Sequence, residues 1–401
     1  MEEKYIDLLL KKCVDFESGI LFIHYNKEIK PFIEKLCKKA KELGIKEIKT
    51  EEFDPYYNHD ILLNRTKEEI ENNKYFDSSI WDIYAKKNAS FLIFETEYPK
   101  LMDDVDPVKI GLSAKLRRNS RPIYRKMVEN CTLSWCIAAY PSHSWADSLF
   151  DTTDNYNELL NFIYKICMVD KENPVKAWDE HLEKTNKVIE KLNDLTIEKL
   201  HYKNSLGTDL VVYLPTNYLF SSAKDSKVIV NMPSYEVFTT PIYNKTEGIV
   251  YSSMPLNYNG GMLDEFYLKF EKGKVVDYDA KVGKDLLQEV IESDEFSCYL
   301  GECALVEKTS PIAKMKFPVV TTLIDENASC HLALGAGFRE CLKDGNLYEE
   351  EELRKLGVNV SKNHVDFMIG TEDLNINATT KDGQQIPIFK NGEYSSNLLS
   401  D

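Results

Sequence analysis

The chain has 401 residues, 43% of them hydrophobic, enough for two or three domains with cores of their own. Its 66 acidic against 50 basic residues leave a formal charge of -16, a balance that repels phosphate backbones and argues against a nucleic-acid partner. No run approaches the roughly 20 apolar residues that span a bilayer, and the charged start "MEEKYIDLLLKKCVDF" has no signal-type apolar stretch, so a cytoplasmic location without membrane attachment is expected.

Along the chain, "GILFIHYN" (19–26) reads as a strand. It runs into a helix whose Ile29, Phe32, Ile33, Leu36, Ala40 and Leu43 fall at helical spacing and which stops at Gly44. The pattern repeats: "IKEIKTEEF" (45–53) is strand-like, "SSIWDIYAKKNA" (78–89) helical and "SFLIFETEY" (90–98) a buried strand. Val108 to Val128 is mainly helical with a break at Pro122, and "CTLSWCIAAYP" (131–141) is a further strand. The densest basic stretch, "KLRRNSRPIYRK" (115–126), reads as a solvated face. Alternating strands and helices predict an open α/β sheet over 1–170. No GxGxxG or GxxxxGK[ST] follows any of these strands, so recognition, oligomerisation or shielding is the expected role of this domain.

Residues 171–193 predict a long amphipathic connecting helix with Pro174 near its start. Beyond it, residues 194–401 change texture. "IEKLHYKN" and "DLVVYLP" flank "SLGT"; then come "KVIVNMP", "GIVYSSMPLNYNGG", "DEFYLKFEKGKVVDYDAK", a helix at 284–293 and the apolar run Phe317 to Ile324, read as a strand. Strands joined by short glycine turns predict a mixed or antiparallel sheet domain. Nine cysteines, an odd number with no CxxC pair, are expected to be buried free thiols, and Cys330 is singled out because it adjoins a ligand-type His331.

Six residues in four segments of this second half could carry chemistry: Glu236, Glu302, Glu326, His331, His364 and Asp366. "DENASCHLALG" (325–335) places two carboxylates, a thiol and an imidazole within seven positions. In "HVDFMIG" (364–370) the imidazole and carboxylate are two apart and share one face of an extended strand. A carboxylate facing a core is unfavourable unless it meets a metal, a cation or several donors. Three Glu, one Asp and two His suit zinc, cobalt, manganese or iron rather than a thiolate site. Six such groups exceed the three protein ligands typical of one catalytic ion, and two ions about 3.5 to 4 Å apart, bridged by one carboxylate, would use them all.

"NMPSYEVFTTP", "SSMPLNYNGGMLDEFYLKFEKGKVVDYDAKVG", "DEFSCYLGECALV", "TTLIDENASCHLALG", "NHVDFMIG" and "DGQQIPIFKNGEY" resemble, in order and spacing, the thermophilic aminopeptidases, a metallopeptidase family. "AAYPSHSWAD" and "NPVKAWDEHLEKTNKVIEKLN" fit as well. The resemblance implies an N-terminal α/β domain and a C-terminal domain with two zinc, cobalt or manganese ions per chain, in a homodimer that acts on peptides with a free N-terminus. It implies Glu236, Glu302, Glu326, His331, His364 and Asp366 as ligands and Glu302 as the bridge. Metal-assisted peptide hydrolysis then needs a carboxylate to shuttle the proton to the leaving amine, and Glu236 and Glu326 are the two catalytic candidates. One position departs: seven residues after His331, where the family commonly has tyrosine, this chain has Phe338. That motivates a second expectation, an inactive or weakened dimer that binds metal or peptide. A dinuclear phosphoesterase is disfavoured because no Arg or Lys lies within the ligand motifs to clamp a phosphate.

Overall fold

The computed structural model describes residues 1–222, 227–258, 261–315 and 321–399. The chain divides into two compact units, Met1–Asp179 with Lys224–Pro233, and Glu180–Ala223 with Ser234–Asp401.

The first unit is built on a five-stranded sheet, in which β1 (Ile20–Asn26), β2 (Glu47–Phe53), β3 (Ser90–Glu95), β4 (Trp135–Ala139) and β5 (Asn231–Met232) lie in the order β2-β1-β3-β4-β5. Every pairing is parallel. Parallel strands are covered on both faces, which is why β1 and β3 read as near-continuous apolar runs. The crossover helix Lys30–Glu42 starts with Pro31 in its first turn and buries Phe32, Ile33, Leu36 and Ala40. The stretch around Pro122 resolves into two helices, Pro107–Asn119 and Pro122–Glu129.

Two sequence expectations change here. The run 227–233, expected among the hairpins of the second half, instead adds β5 to the parallel sheet, pairing Asn231 with Ile137 and Met232 with Ala138. An apolar run carries no signal for which sheet will take it. Within the basic stretch, Lys115, Arg118 and Lys126 are exposed, but Arg117 and Arg121 are only partly exposed. The Arg117 guanidinium lies about 5 Å from the rings of Phe53, Tyr75 and Phe76, and that of Arg121 lies 4.2 Å from the Trp81 ring. Flat, weakly hydrated guanidinium groups stack where an ammonium group would stay in water.

In the second unit nine strands form an antiparallel sheet. Ile197–Lys203 pairs with Asp209–Tyr213, and Gly261–Glu271 pairs with Lys274–Val282. The second hairpin turns at Lys272 and Gly273, with φ of 50° and 79°, the left-handed pair that a tight two-residue turn requires. The smaller sheet of this unit matters for chemistry. It contains β6 (Val237–Thr239), β7 (Leu300–Leu305), β8 (His331–Gly335) and β9 (His364–Met368), in the order β9-β8-β7-β6 and antiparallel throughout. Cys303, Leu305, Leu332, Leu334, Val365 and Phe367 belong to the large apolar core of the unit.

The apolar run before "DEN" is not a strand where it is described. Thr322–Asp325 is a helical turn that continues into a 3-10 turn at Glu326–Ala328; residues 317–320 of that run lie outside the described residues. Asn327 Nδ2–H donates to the Leu323 carbonyl at 3.1 Å, so a local side-chain donor four residues on supports the helical turn against the β preference of its threonine and isoleucine. Of the nine cysteines, Cys13, Cys136, Cys167, Cys298, Cys303, Cys330 and Cys341 are buried, Cys37 is partly buried and Cys131 exposed, and all are free thiols. Among the described residues no helix is long and apolar enough to cross a membrane.

Candidate metal centre

Strand register explains how five dispersed residues meet. Asp366 on β9 pairs with Ala333 on β8, and Ala333 pairs with Glu302 on β7, so these three form one row across the sheet. Residues directly opposite one another point to the same face, as do residues two apart on one strand. His364, two before Asp366, and His331, two before Ala333, therefore join Glu302 on that face. Glu236 lies two residues before Phe238, which pairs with Ala304 on the same face. Ala333, Ala304 and Gly335 fill the positions between, and their small side chains leave room above the sheet. The opposite face carries the core residues named above. One alternation thus separates a ligand face from an apolar face.

A register shift between Leu300 and Glu302 brings Glu302 into this row. Gly301 sits at the shift, where a Cβ would lie 2.1 Å from the Ala336 carbonyl oxygen, so no larger residue fits.

The ligand atoms form two groups. Glu236, Glu302 and His331 make one triad, Glu302, His364 and Asp366 the other, and the donor atoms of each lie within 4.8 Å of one another. Glu302 belongs to both. His331 Nε2 is 3.2 Å from Glu236 Oε2 and 3.9 Å from Glu302 Oε1. His364 Nε2 is 3.1 Å from Glu302 Oε2 and 3.1 Å from Asp366 Oδ1. Both imidazoles face backbone carbonyls through Nδ1, His331 toward Ser329 at 3.2 Å and His364 toward Ala336 at 2.8 Å. With Nδ1–H donating to a carbonyl, each Nε2 faces carboxylate oxygens and must carry either a second proton or a bound cation. Asp366 Oδ1 meets the same test, since it is buried and, apart from its ion-pair contact with His364 Nε2, has no hydrogen-bond partner among the described residues. The residues present therefore fit a divalent metal.

Electrostatics agree. Burial pushes the Glu302 carboxyl up to about 7, against the pull of His364. Burial opposes charge on His331, but the hydrogen bond to Glu236 and the neighbouring carboxylates outweigh it and hold the imidazole up at about 10. For Asp366 burial is likewise overcome, by the charge and proximity of His364, and its carboxyl falls to about 2. The ligands gather negative charge that only protons or cations can offset.

Glu326 stands outside both triads, yet its buried carboxyl is raised well above the ordinary range, first by burial and then by Glu236 and Asp366. His331 is 1% exposed, whereas the His364 side chain is 27% exposed, so the site opens on the His364 side. There the Phe338 ring lies 5.1 Å from the imidazole of His364 and 5.1 Å from the Phe238 ring, presenting carbon rather than a hydrogen-bonding group to the site. The structure thus brings Glu236, Glu302, His331, His364 and Asp366 into two triads and sets Glu326 beside them. Sequence reading missed the supporting groups: Gly301, Ala333, the carbonyls of Ser329 and Ala336, and Asn327. Asn327 stood inside the quoted stretch, but nothing in a sequence shows that its amide is buried.

An α/β unit and a second unit whose small sheet carries two overlapping His and carboxylate triads fit a metal-dependent enzyme. The comparisons narrow this. The model of the thermophilic metalloprotease (M29) family matches residues 1–394. Aminopeptidase AmpS of Bacillus subtilis is 32% identical, with 98% of this chain and 97% of the relative covered. Aminopeptidase 2 of Geobacillus stearothermophilus is 33% identical, covering 99% and 98%. The solved structure of wild-type AmpT from Thermus thermophilus superimposes with a TM-score of 0.88 at 27% identity, over 98% of each chain. The chain belongs to the thermophilic metalloprotease (M29) family and is a metalloaminopeptidase.

Proposed function

We propose that the chain removes N-terminal residues from peptides at a centre of two divalent ions, with Glu236, Glu302 and His331 holding one, Glu302, His364 and Asp366 the other, and Glu302 shared. The overlap of two ligand triads in a single carboxylate carries this reading. Zinc, cobalt or manganese suits the mixed oxygen and nitrogen donors, and bound ions would supply Lewis acidity and a water ionising near neutral pH. Glu326 is the proton carrier. It lies beside the ligands without completing either triad, and its raised proton affinity suits a group that takes a proton from the attacking water and returns it to the leaving amine. Glu236 is then a ligand. A free α-amino group on the substrate meets a strongly acidic site, which favours cleavage at the peptide terminus. The working form is a cytoplasmic homodimer, in keeping with the free thiols.

The test is release of the first residue from a short unblocked peptide after chelation and re-addition of Co2+, Zn2+ or Mn2+, with the acetylated peptide as control. Turnover that needs metal and a free amine is expected. Phe338 favours a second reading, a relative that binds metal without turnover, and metal binding without hydrolysis of either peptide would establish it.

A further inference from the structure

Four of the proposed site residues sit on strands; Glu236 directly precedes β6, Glu326 lies in the turn ahead of β8, and among the described residues no strand pairing joins β6 to that turn. The side chain of Asn327 bridges the two segments. Asn327 is fully buried, and its Oδ1 accepts the Tyr235 backbone N–H at 2.5 Å, next to Glu236. Its Nδ2 donates to the Leu323 carbonyl at 3.1 Å and to Glu326 Oε1 at 3.4 Å. Its own carbonyl accepts from the Ser310 hydroxyl at 3.1 Å. Tyr235 offers only a donor, so the amide cannot flip, and its nitrogen must face Glu326. On the far side of the Tyr235 peptide, His181 Nε2 lies 3.3 Å from the Ser234 carbonyl, and its ring packs 5.0 Å from that of Tyr235.

We infer that Asn327 is a positioning residue: it locks the Glu236 and Glu326 segments together and so sets the ion site of Glu236, Glu302 and His331. This inference rests on the two-ion reading above. The other site depends on different supports, the pairing of β9 with β8 and the Ala336 carbonyl that orients His364. Removing the Asn327 amide therefore weakens one ion and spares the other.

The variant that tests this is Asn327→Asp, which keeps the size and the acceptor for Tyr235 but sets an oxygen against Glu326 Oε1 and the Leu323 carbonyl. Chelator-treated protein is titrated with Co2+, following visible absorbance and metal content, with circular dichroism as the check on folding. Wild type is expected to bind two ions per chain. In the variant one ion should weaken by about tenfold or more, the range typical when a group orienting a ligand is lost, and the other should stay within twofold. Adding His364→Ala should then remove the surviving ion, and adding His331→Ala should leave it. Two ions within twofold of wild type, or equal weakening of both, would overturn the inference. A wild type that binds fewer than two ions would instead refute the two-ion reading, and this inference with it. Should the aspartate variant not fold, Ser310→Ala, which releases the Asn327 carbonyl and the Ala313 backbone N–H, is expected to weaken the same single ion, and uniform or absent weakening would overturn the inference.

Discussion

Substituting Gly301 by alanine tests whether backbone fit at the register shift sets the centre. An alanine Cβ would sit 2.1 Å from the Ala336 carbonyl oxygen and 2.3 Å from that of Gly335. Relaxed contact needs roughly 3.5 Å, so something must move by more than about 1 Å. The obstructing atoms are backbone, and both neighbours carry ligands: Glu302 follows Gly301 directly, and the Ala336 carbonyl is the Nδ1 partner of His364. Overpacking of this kind destabilises by about 1–3 kcal/mol. A 1 Å displacement at a reacting centre can lower turnover by about 100-fold. Gly301→Ala is therefore expected to unfold at lower temperature, bind Co2+ more weakly and lose about two orders of magnitude in kcat/KM on an unblocked dipeptide. Gly111→Ala is the control, because its Cβ meets nothing within 4 Å inside the helix Pro107–Asn119. It should leave activity unchanged and add up to about 1 kcal/mol of stability. Wild-type kcat and metal affinity in Gly301→Ala would refute the argument that this shift places the ligands.

Other outcomes follow from the same geometry. Glu302→Gln removes a carboxylate from both triads and is expected to weaken both ions, while His364→Ala should affect one; metal analysis after dialysis distinguishes them. Phe338→Tyr adds a hydroxyl beside His364 and is expected to raise kcat by about tenfold with KM little changed, less than the roughly 100- to 1000-fold attributed to a fully aligned oxyanion donor; steady-state kinetics showing no change would mean that oxyanion stabilisation comes from elsewhere. In the first unit, burial disfavours the Glu51 carboxylate, but His24, the Trp81 Nε1–H at 2.6 Å and Arg117 outweigh it and hold its pKa below the ordinary value. A lowered folded pKa contributes stability above the unfolded value, about 4.3, and loses it as pH falls through the folded one. Glu51→Gln should accordingly be less stable than wild type in denaturant melts at pH 7, with the gap closing below about pH 4.

Much of this was legible in sequence because it rests on local pattern. Apolar runs and helical spacing marked β1 to β4 and the helix Lys30–Glu42, and the HxD spacing put His364 and Asp366 on one face of a strand. What stayed hidden depends on partners distant in the chain. The placement of Asn231–Met232 in the parallel sheet and the stacking of Arg117 were decided by tertiary neighbours. Six ligand-type residues could be named from sequence, but their division into two triads required the row Asp366, Ala333, Glu302 across three strands. A single residue of slip would turn such a row to the opposite face. Ala333 was unremarkable in sequence, yet its small side chain keeps the middle of the row open.

The central claim is that two ions share Glu302 and that both are needed for turnover. Chelator-treated protein titrated with Co2+, while release of the first residue from an unblocked dipeptide is followed on the same samples, tests it most directly. The account predicts that binding saturates at two ions per chain, that activity rises with the second, and that Glu302→Gln shows neither. Full activity at one ion per chain, or two tight ions in Glu302→Gln, would contradict it.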